Sequence, residues 1–207
     1  GTIDEMRIYN RALSAAEASA LYAQGQPRIA EASGTSLATG LVLHYSFDTN
    51  ESGKAKDQSG KGHDGILQGT KWTPDGALGG ARSFDGIRDS IDLGPDVLNG
   101  IRSLSLWFNL DTPIDASLNS EVALVARDGD DGSGGNLVGL LFSATGEANL
   151  KGRLGFDRNI GAAIHFVGSD INQWDAGRWY HAVGVLDPTA GITLYVDGVK
   201  QAYHSDP

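Results

Sequence analysis

The chain has 207 residues, with 16 Lys and Arg against 26 Asp and Glu, for a net charge of −10. With no basic block, this charge argues against nucleic-acid partners and against attraction to anionic membranes. There is no Cys, so disulfides and thiolate metal sites are ruled out. No apolar run reaches membrane-spanning length, no membrane insertion is expected, and no signal peptide is visible. The 29 Gly fall mostly between short apolar runs, which favours a turn-rich all-β protein. The surplus of carboxylates suits a divalent cation, although a solvated acidic surface accounts for most of them. The first residue is Gly rather than Met, and the chain reads as a piece of a longer polypeptide.

The chain opens with a strand, IDEMRIY (3–9). Alternation places Asp4, Met6 and Ile8 on one face and Ile3, Glu5, Arg7 and Tyr9 on the other. A helix follows, with Ser14 as its N-cap and Glu17 three residues on as a capping box. Gly25 stops the helix and Pro27 follows. Residues 26–40 are small and polar without period, and read as a linker or a loosely pinned surface segment. From 41 onward the pattern is strands and turns. LVLHYSF (41–47) puts Leu43, Tyr45 and Phe47 on one side. DQSGKGHDG (57–65) is dense in turn formers. SLSLWFNL (103–110) puts Leu104, Leu106, Phe108 and Leu110 on one face and Trp107 on the other. EVALVAR (121–127) and NLVGLLFSA (136–144) flank an acidic glycine loop. RWYHAVGVLD (178–187) and GITLYVDGVKQAY (191–203) close the chain, with Asp197-Gly198 as a two-residue hairpin signal. Strands at this short, regular spacing predict a β-sandwich.

The segments LVLHYSFD, D-x-SGKGHDG, LGGARSFDGIRDSIDLG, SLSLWFNL, GRWYHAVGVLD, GITLYVDG and GTIDEMRIYNRALSAAEASALY together resemble the LamG-like jellyroll family, of the concanavalin A-like lectin/glucanase type. The resemblance implies an all-β fold: a two-sheet antiparallel jellyroll sandwich with one short helix near the N-terminus. It covers residues 41–203 and 1–25. In the family, the stretch similar to residues 1–25 comes last; here it comes first. Two readings are open. Residues 1–25 are the tail of a preceding tandem copy, with 26–40 a linker and 41–207 a body incomplete at its C-terminal end. Alternatively they dock on the 41–207 body and complete it, in the same molecule or by strand exchange in a homo-oligomer. An apolar strand and helix cannot stay unburied, so docking is the physical expectation.

Asp4, on the Met6 and Ile8 face, points inward by alternation, and a buried carboxylate needs a cation or several donors. Asp48 ends the first body strand and Asp57 begins the turn-rich loop. Carboxylates with backbone carbonyls describe a hard-cation site, and calcium fits best. The resemblance implies one structural calcium between the first-strand region and the last strand. It makes Asp4, Asp48, Asp57 and the loop carbonyl around His63 the expected ligands. His63 departs from the family loop. The plainer reading is that Asp57 caps a turn and Asp4 pairs with an Arg. Asp128, Asp130 and Asp131 miss the EF-hand spacing and read as a solvated hairpin tip.

Trp107 and Trp179 lie in strands and are expected in the core, and Trp72 is expected as a wedge under a loop. Trp174 sits in a connection between Asn172 and Asp175. An aromatic ring beside amide and carboxylate groups is the pattern of a sugar platform, so Trp174, Asn172 and Asp175 are the candidate ligand-binding residues. The bland alternative is a Trp folded over the sandwich edge. No strand carries the converging carboxylates of a glycosidase, no nucleophile motif appears, and His181 reads as a satisfied strand histidine. The chain is therefore expected not to be an enzyme. The favoured reading is a non-catalytic carbohydrate-binding or adhesion module of a secreted or cell-surface multidomain bacterial protein, extracellular and stabilised by calcium. Its expected partners are a polysaccharide or glycoconjugate and neighbouring domains of the same polypeptide. The alternatives are a structural spacer or protein-interaction repeat and, last, a jellyroll glycoside hydrolase or polysaccharide lyase.

Overall fold

A computed structural model describes residues 1–25, 37–95, 97–127, 138–144, 150–160 and 163–204. The elements in chain order are β1 (Thr2–Tyr9), α1 (Ala15–Gln24), β2 (Leu41–Tyr45), β3 (Lys54–Ala55), β4 (Gly65–Gln68), β5 (Lys71–Thr73), β6 (Ala81–Ser83), β7 (Ser90–Asp92), β8 (Ser103–Asn109), β9 (Val122–Arg127), β10 (Val138–Phe142), β11 (Leu154–Ile160), β12 (Ala163–Gly168), β13 (Trp179–Asp187), β14 (Gly191–Val196), β15 (Val199–Lys200) and β16 (Tyr203–His204). They form three sheets. The largest runs β15-β14-β13-β8-β1-β6-β5, with β2 also on β1; the second runs β16-β12-β11-β10-β9; the third runs β3-β4-β7. The fold is an antiparallel, mostly β sandwich of the jellyroll kind.

The strand that begins the chain lies inside the largest sheet. One edge of β1 pairs with β8, Thr2 to Asp4 facing Asn109 to Trp107. After a register slip, Arg7 to Tyr9 face Ser105 to Ser103. Its other edge is shared. Thr2 and Ile3 pair with β6, whereas Met6 to Tyr9 pair with β2. The change of partner falls where Glu5 takes a left-handed φ of 50°. Bulges of this kind bend a strand and re-aim its side chains.

The slip corrects the simple alternation. Ile3 lies opposite Phe108 and packs with Met6 and Ile8 on the inter-sheet core, while Asp4 lies opposite Trp107. Cross-strand partners share a face, so Asp4 is displaced from the Met6 and Ile8 face, yet it is wholly buried. The core behind them follows the predicted periods: Leu104, Leu106, Phe108 and Leu110 meet Leu140, Phe142, Leu154 and Phe156 from the second sheet.

The opposite face of the largest sheet is covered by α1. Leu13, Ala18 and Leu21 pack with Tyr9, Val183, Val185 and Tyr195. Tyr22 stacks on Trp107 with ring centres 5.5 Å apart. The capping box forms as predicted between Ser14 and Glu17. Arg11 adds an ion pair to Glu17 at 2.5 Å, and that hydrogen-bonded partner holds the Glu17 carboxyl down to about 2. Gly25 does end the helix, but with a φ of −83° rather than left-handed. A Cβ there would overlap the Trp107 ring, so close approach is what selects glycine.

Other expectations shift at their edges. The strand predicted to Phe47 stops at Tyr45, because Phe47 turns to a φ of 55° and its carbonyl accepts from Trp72 Nε1 at 2.9 Å. Asp197 and Gly198 both have positive φ, as a primed hairpin turn requires. The acids Asp128, Asp130 and Asp131, and most of the expected linker, lie outside the described residues. Among the described residues no helix is long and apolar enough to cross a membrane.

Leu21→Ala, which empties the centre of the helix–sheet contact, should lower unfolding free energy by about 2–5 kcal/mol, whereas exposed Gln24→Ala should change it by less than about 0.5 kcal/mol. Urea unfolding followed by tryptophan fluorescence measures both. Removal of residues 1–25 should abolish the cooperative transition.

Candidate functional site

Two of the four expected metal ligands come together. Asp4 Oδ1 accepts the Glu5 amide at 2.7 Å and Oδ2 accepts the Leu78 amide at 2.8 Å. Burial, with the neighbouring charges of Glu5 and Asp48 adding to it, pushes the Asp4 carboxyl up to about 7. The loop 76–80 wraps this point. A Cβ on Gly76 would lie 2.8 Å from Asp4 Oδ2, 2.8 Å from the Gly79 carbonyl and 2.6 Å from the Gly80 carbonyl. A Cβ on Gly79 would overlap Asp48 Oδ1, and one on Gly80 would lie 2.6 Å from the Phe47 carbonyl. Two carboxylates and several carbonyls therefore crowd one small volume, a donor set that fits a hard cation. Among the described residues, no group of three or more His, Asp or Glu side chains is placed to hold a metal, so backbone oxygens would have to supply the remaining ligands.

Asp57 and His63 do not join this cluster. Asp57 Oδ1 accepts the His44 and Ser59 amides, and Oδ2 accepts the Ser59 hydroxyl and the His63 amide, at 2.8–3.1 Å. Burial would raise its carboxyl, but these donors more than offset that and hold it below the ordinary value. The His63 carbonyl is taken by the Tyr45 hydroxyl at 2.6 Å. Asp57 is the cap of a closed turn, and the expected four-residue ligand set reduces to Asp4 and Asp48. The Arg partner weighed for Asp4 goes instead to Glu5, which binds Arg7 at 2.6 Å and His44 at 2.9 Å.

The expected sugar platform is corrected as well. Trp174 is 1% exposed. Its ring packs against Phe108, Phe142 and Tyr180 at 4.9–5.7 Å, and Nε1 donates to the Gly152 carbonyl at 2.8 Å. Residue 174 also bridges to Ile114 through backbone hydrogen bonds. These contacts fold the connection inward, so Trp174 closes an end of the core. Exposed Asp175 and half-buried Asn172 flank a ring that no ligand can reach.

A different surface carries the features sought in that loop. On the second sheet, Leu140, Phe156 and Val167 face the core, and the residues between them face away from it. Across this outer face, Ala126, Gly139, Asp157 and Phe166 form one row, and Leu141, Gly155, Gly168 and Tyr203 form the next. Small residues make a shallow floor. Half-buried Phe166 lies over Gly155, where a Cβ would overlap its ring. Arg153 stacks on Tyr203 at 3.9 Å and donates to the Ser169 and Asp170 carbonyls. In the middle stands Asp157, 7% exposed, with Oδ1 lacking a hydrogen-bond partner among the described residues. Burial pushes its carboxyl up to about 6, with the charge of Glu121 adding to the push. A buried oxygen without a donor is costly, and it is the feature here that asks for a ligand hydroxyl. The sequence reading missed Asp157. Its signal was the run of glycines inside strands, which mark close approach of another group.

A family profile described as the concanavalin A-like lectin/glucanases superfamily matches residues 85–207. The chain belongs to this superfamily. The matched stretch of this lectin/glucanase-type domain runs from the turn after β6 and contains Asp157, Phe166 and Tyr203. No curated protein and no solved structure matches the chain.

The raised Asp157 carboxyl fixes a pH dependence. Its ordinary value is 3.8 and its folded value is about 6, so the folded protein holds this proton more tightly than the unfolded chain. The contribution favours folding below about pH 4 and is lost as pH rises to about 6. Asp157→Asn should therefore match wild type near pH 4 and exceed its stability near pH 7 by on the order of 2 kcal/mol, as read by urea unfolding at the two pH values.

Proposed function

We propose that this superfamily member is a non-catalytic carbohydrate-binding or adhesion module, stabilised by calcium, of the kind carried by secreted or surface-displayed multidomain proteins. The observation that carries the reading is the Asp157 oxygen, without a hydrogen-bond partner among the described residues, beside the Phe166 and Tyr203 rings and flanking glycines. Sugars present C–H faces that stack on flat rings and hydroxyls that donate to carboxylates. Asp157 Oδ1 accepts a hydroxyl, Phe166 receives the ring face, and the Arg153–Tyr203 pair borders the site. Glycines at 155 and 168 let the Phe166 and Tyr203 rings lie close over the sheet, and Gly139 lies beside the carboxylate.

Calcium belongs to the scaffold in this reading. Asp4 and Asp48 hold it with the Gly79 and Gly80 carbonyls, where the cation relieves the repulsion between buried Asp4 and exposed Asp48. Adding calcium should raise the melting temperature of wild type and leave Asp4→Asn and Asp48→Asn unmoved, as measured by calorimetry with and without chelator.

Binding is tested on a glycan array with calcium present, followed by calorimetric titration of the best ligand. Asp157→Ala and Phe166→Ala should each weaken binding by at least about tenfold, while Trp174 stays untouched. A blank array would overturn the reading. The proximity of Glu121 to Asp157 favours one second reading, a hydrolase in which Asp157 is the proton donor. Turnover of any polysaccharide, lost in Asp157→Asn, would establish that reading instead.

A further inference from the structure

A cleft of about 1220 Å³ is lined by strands of all three sheets. Its two walls are strand edges. All of β7 lines one side and all of β9 the other. β7 pairs with β4 and β9 with β10. Among the described residues, neither has a neighbour on its cleft side. Half-buried Ile3 of β1 lies on the floor, with buried Met6 and Phe108 beneath it, and half-buried Leu93 and Leu124 add apolar side chains from the walls. The charged groups of the lining are five carboxylates, of Asp85, Asp89, Asp92, Asp111 and Glu121, against the side chain of Arg127 and the amino terminus of Gly1. Arg127 is bonded to Asn99, and the amine to Asp111 at 2.8 Å.

We propose that this cleft receives an extended peptide from a partner protein, which adds a strand between β7 and β9. Two open edges on either side of one slot satisfy the amide and carbonyl groups of a strand on both of its edges, where ordinary β-augmentation satisfies one. At about 3.3 Å per residue, the length of β9 accommodates about six residues. The apolar floor takes every second side chain of such a strand, since alternate residues point to opposite faces. The remaining side chains point outward past the acidic rim, and the charge there selects Lys and Arg. The occupant is thus a segment alternating apolar with basic residues. Seating it would join the second and third sheets into one continuous sheet.

The test uses the synthetic peptide Lys-Val-Lys-Ile-Lys-Val-Lys, blocked at both ends and fluorescently labelled, against the whole chain. Two comparison peptides separate backbone pairing from charge: one methylated at every second backbone nitrogen, and one with Glu in place of Lys. Binding of the parent peptide should slow hydrogen exchange at Ser90–Asp92 and Val122–Arg127. The methylated peptide, which keeps the charge and the apolar side chains, should bind at least about tenfold more weakly, and the Glu peptide weaker still. Because the chain has no cysteine, Ser90→Cys and Ala126→Cys each allow disulfide capture of a Cys-tagged parent peptide, which the methylated peptide should not match. Equal binding by the methylated peptide, or exchange protection away from both edges, would reduce the effect to charge alone and overturn the proposal. So would an absence of binding. Self-association of the chain through the same two edges, in the absence of peptide, would overturn it in favour of a second copy as the occupant.

Discussion

The position of β1 is the constraint on which the rest of the molecule depends. This strand pairs with β8 along one edge and with two strands in succession along the other. It places Met6 and Ile8 in the core and Ile3 and Thr2 in the floor of the cleft, and carries the chain into α1. The helix in turn seals the outer face of the largest sheet. Trp107 and His181, 5.0 Å apart, lie beneath Tyr22. Burial holds the His181 imidazole down to about 3, and Nε2 shares a 2.9 Å hydrogen bond with Ser105 Oγ. Without the helix that ring would meet water and titrate near its ordinary value. A neutral histidine at this depth is therefore a consequence of the first residues of the chain.

The same strand concentrates strain at one place. Three non-glycine residues among those described have left-handed φ: Glu5, Phe47 and Asp197. Asp197 is explained by its hairpin turn. Glu5 follows Asp4, and Phe47 precedes Asp48. Each such conformation costs on the order of 1–3 kcal/mol and persists only where surrounding contacts impose it. Glu5 is fixed by Arg7 and His44, and Phe47 by the Trp72 bond to its carbonyl. Both kinks turn an acid or a carbonyl toward the 76–80 loop. Two separate distortions thus converge on one cluster of oxygens, the donor set that the proposed calcium would take.

Much of this was legible in the sequence where local chemistry decides the outcome. The Ser14 and Glu17 box, the Asp197-Gly198 turn and the alternation from Leu104 to Leu110 depend on neighbours in sequence, and each appears in the structure. Asp4 was expected to be buried and is, although the slip at Glu5 puts it on another face than alternation implies. Trp174 was misread because flanking Asn and Asp describe polarity and say nothing of whether a connection folds inward; its bridge to Ile114, distant in sequence, settles that. Asp57 looked like a ligand because the sequence does not reveal that four donors already surround it. Asp157 was passed over as one polar residue in a strand, since its isolation depends on glycines contributed by three separate strands.

The three sheets divide their roles by what covers them. The outer face of the largest sheet lies under α1, and its inner face is core, which leaves the outer face of the second sheet and the slot beside it as the surfaces to which binding is proposed. These two surfaces are not electrostatically independent. Glu121 lines the cleft and also helps raise the Asp157 carboxyl. A positive charge brought to Glu121 opposes that effect and favours the ionised Asp157, the form that accepts hydroxyl hydrogen bonds with both oxygens. Any cationic occupant of the slot thus acts on the glycine-floored face through one carboxylate, with no movement of the backbone required.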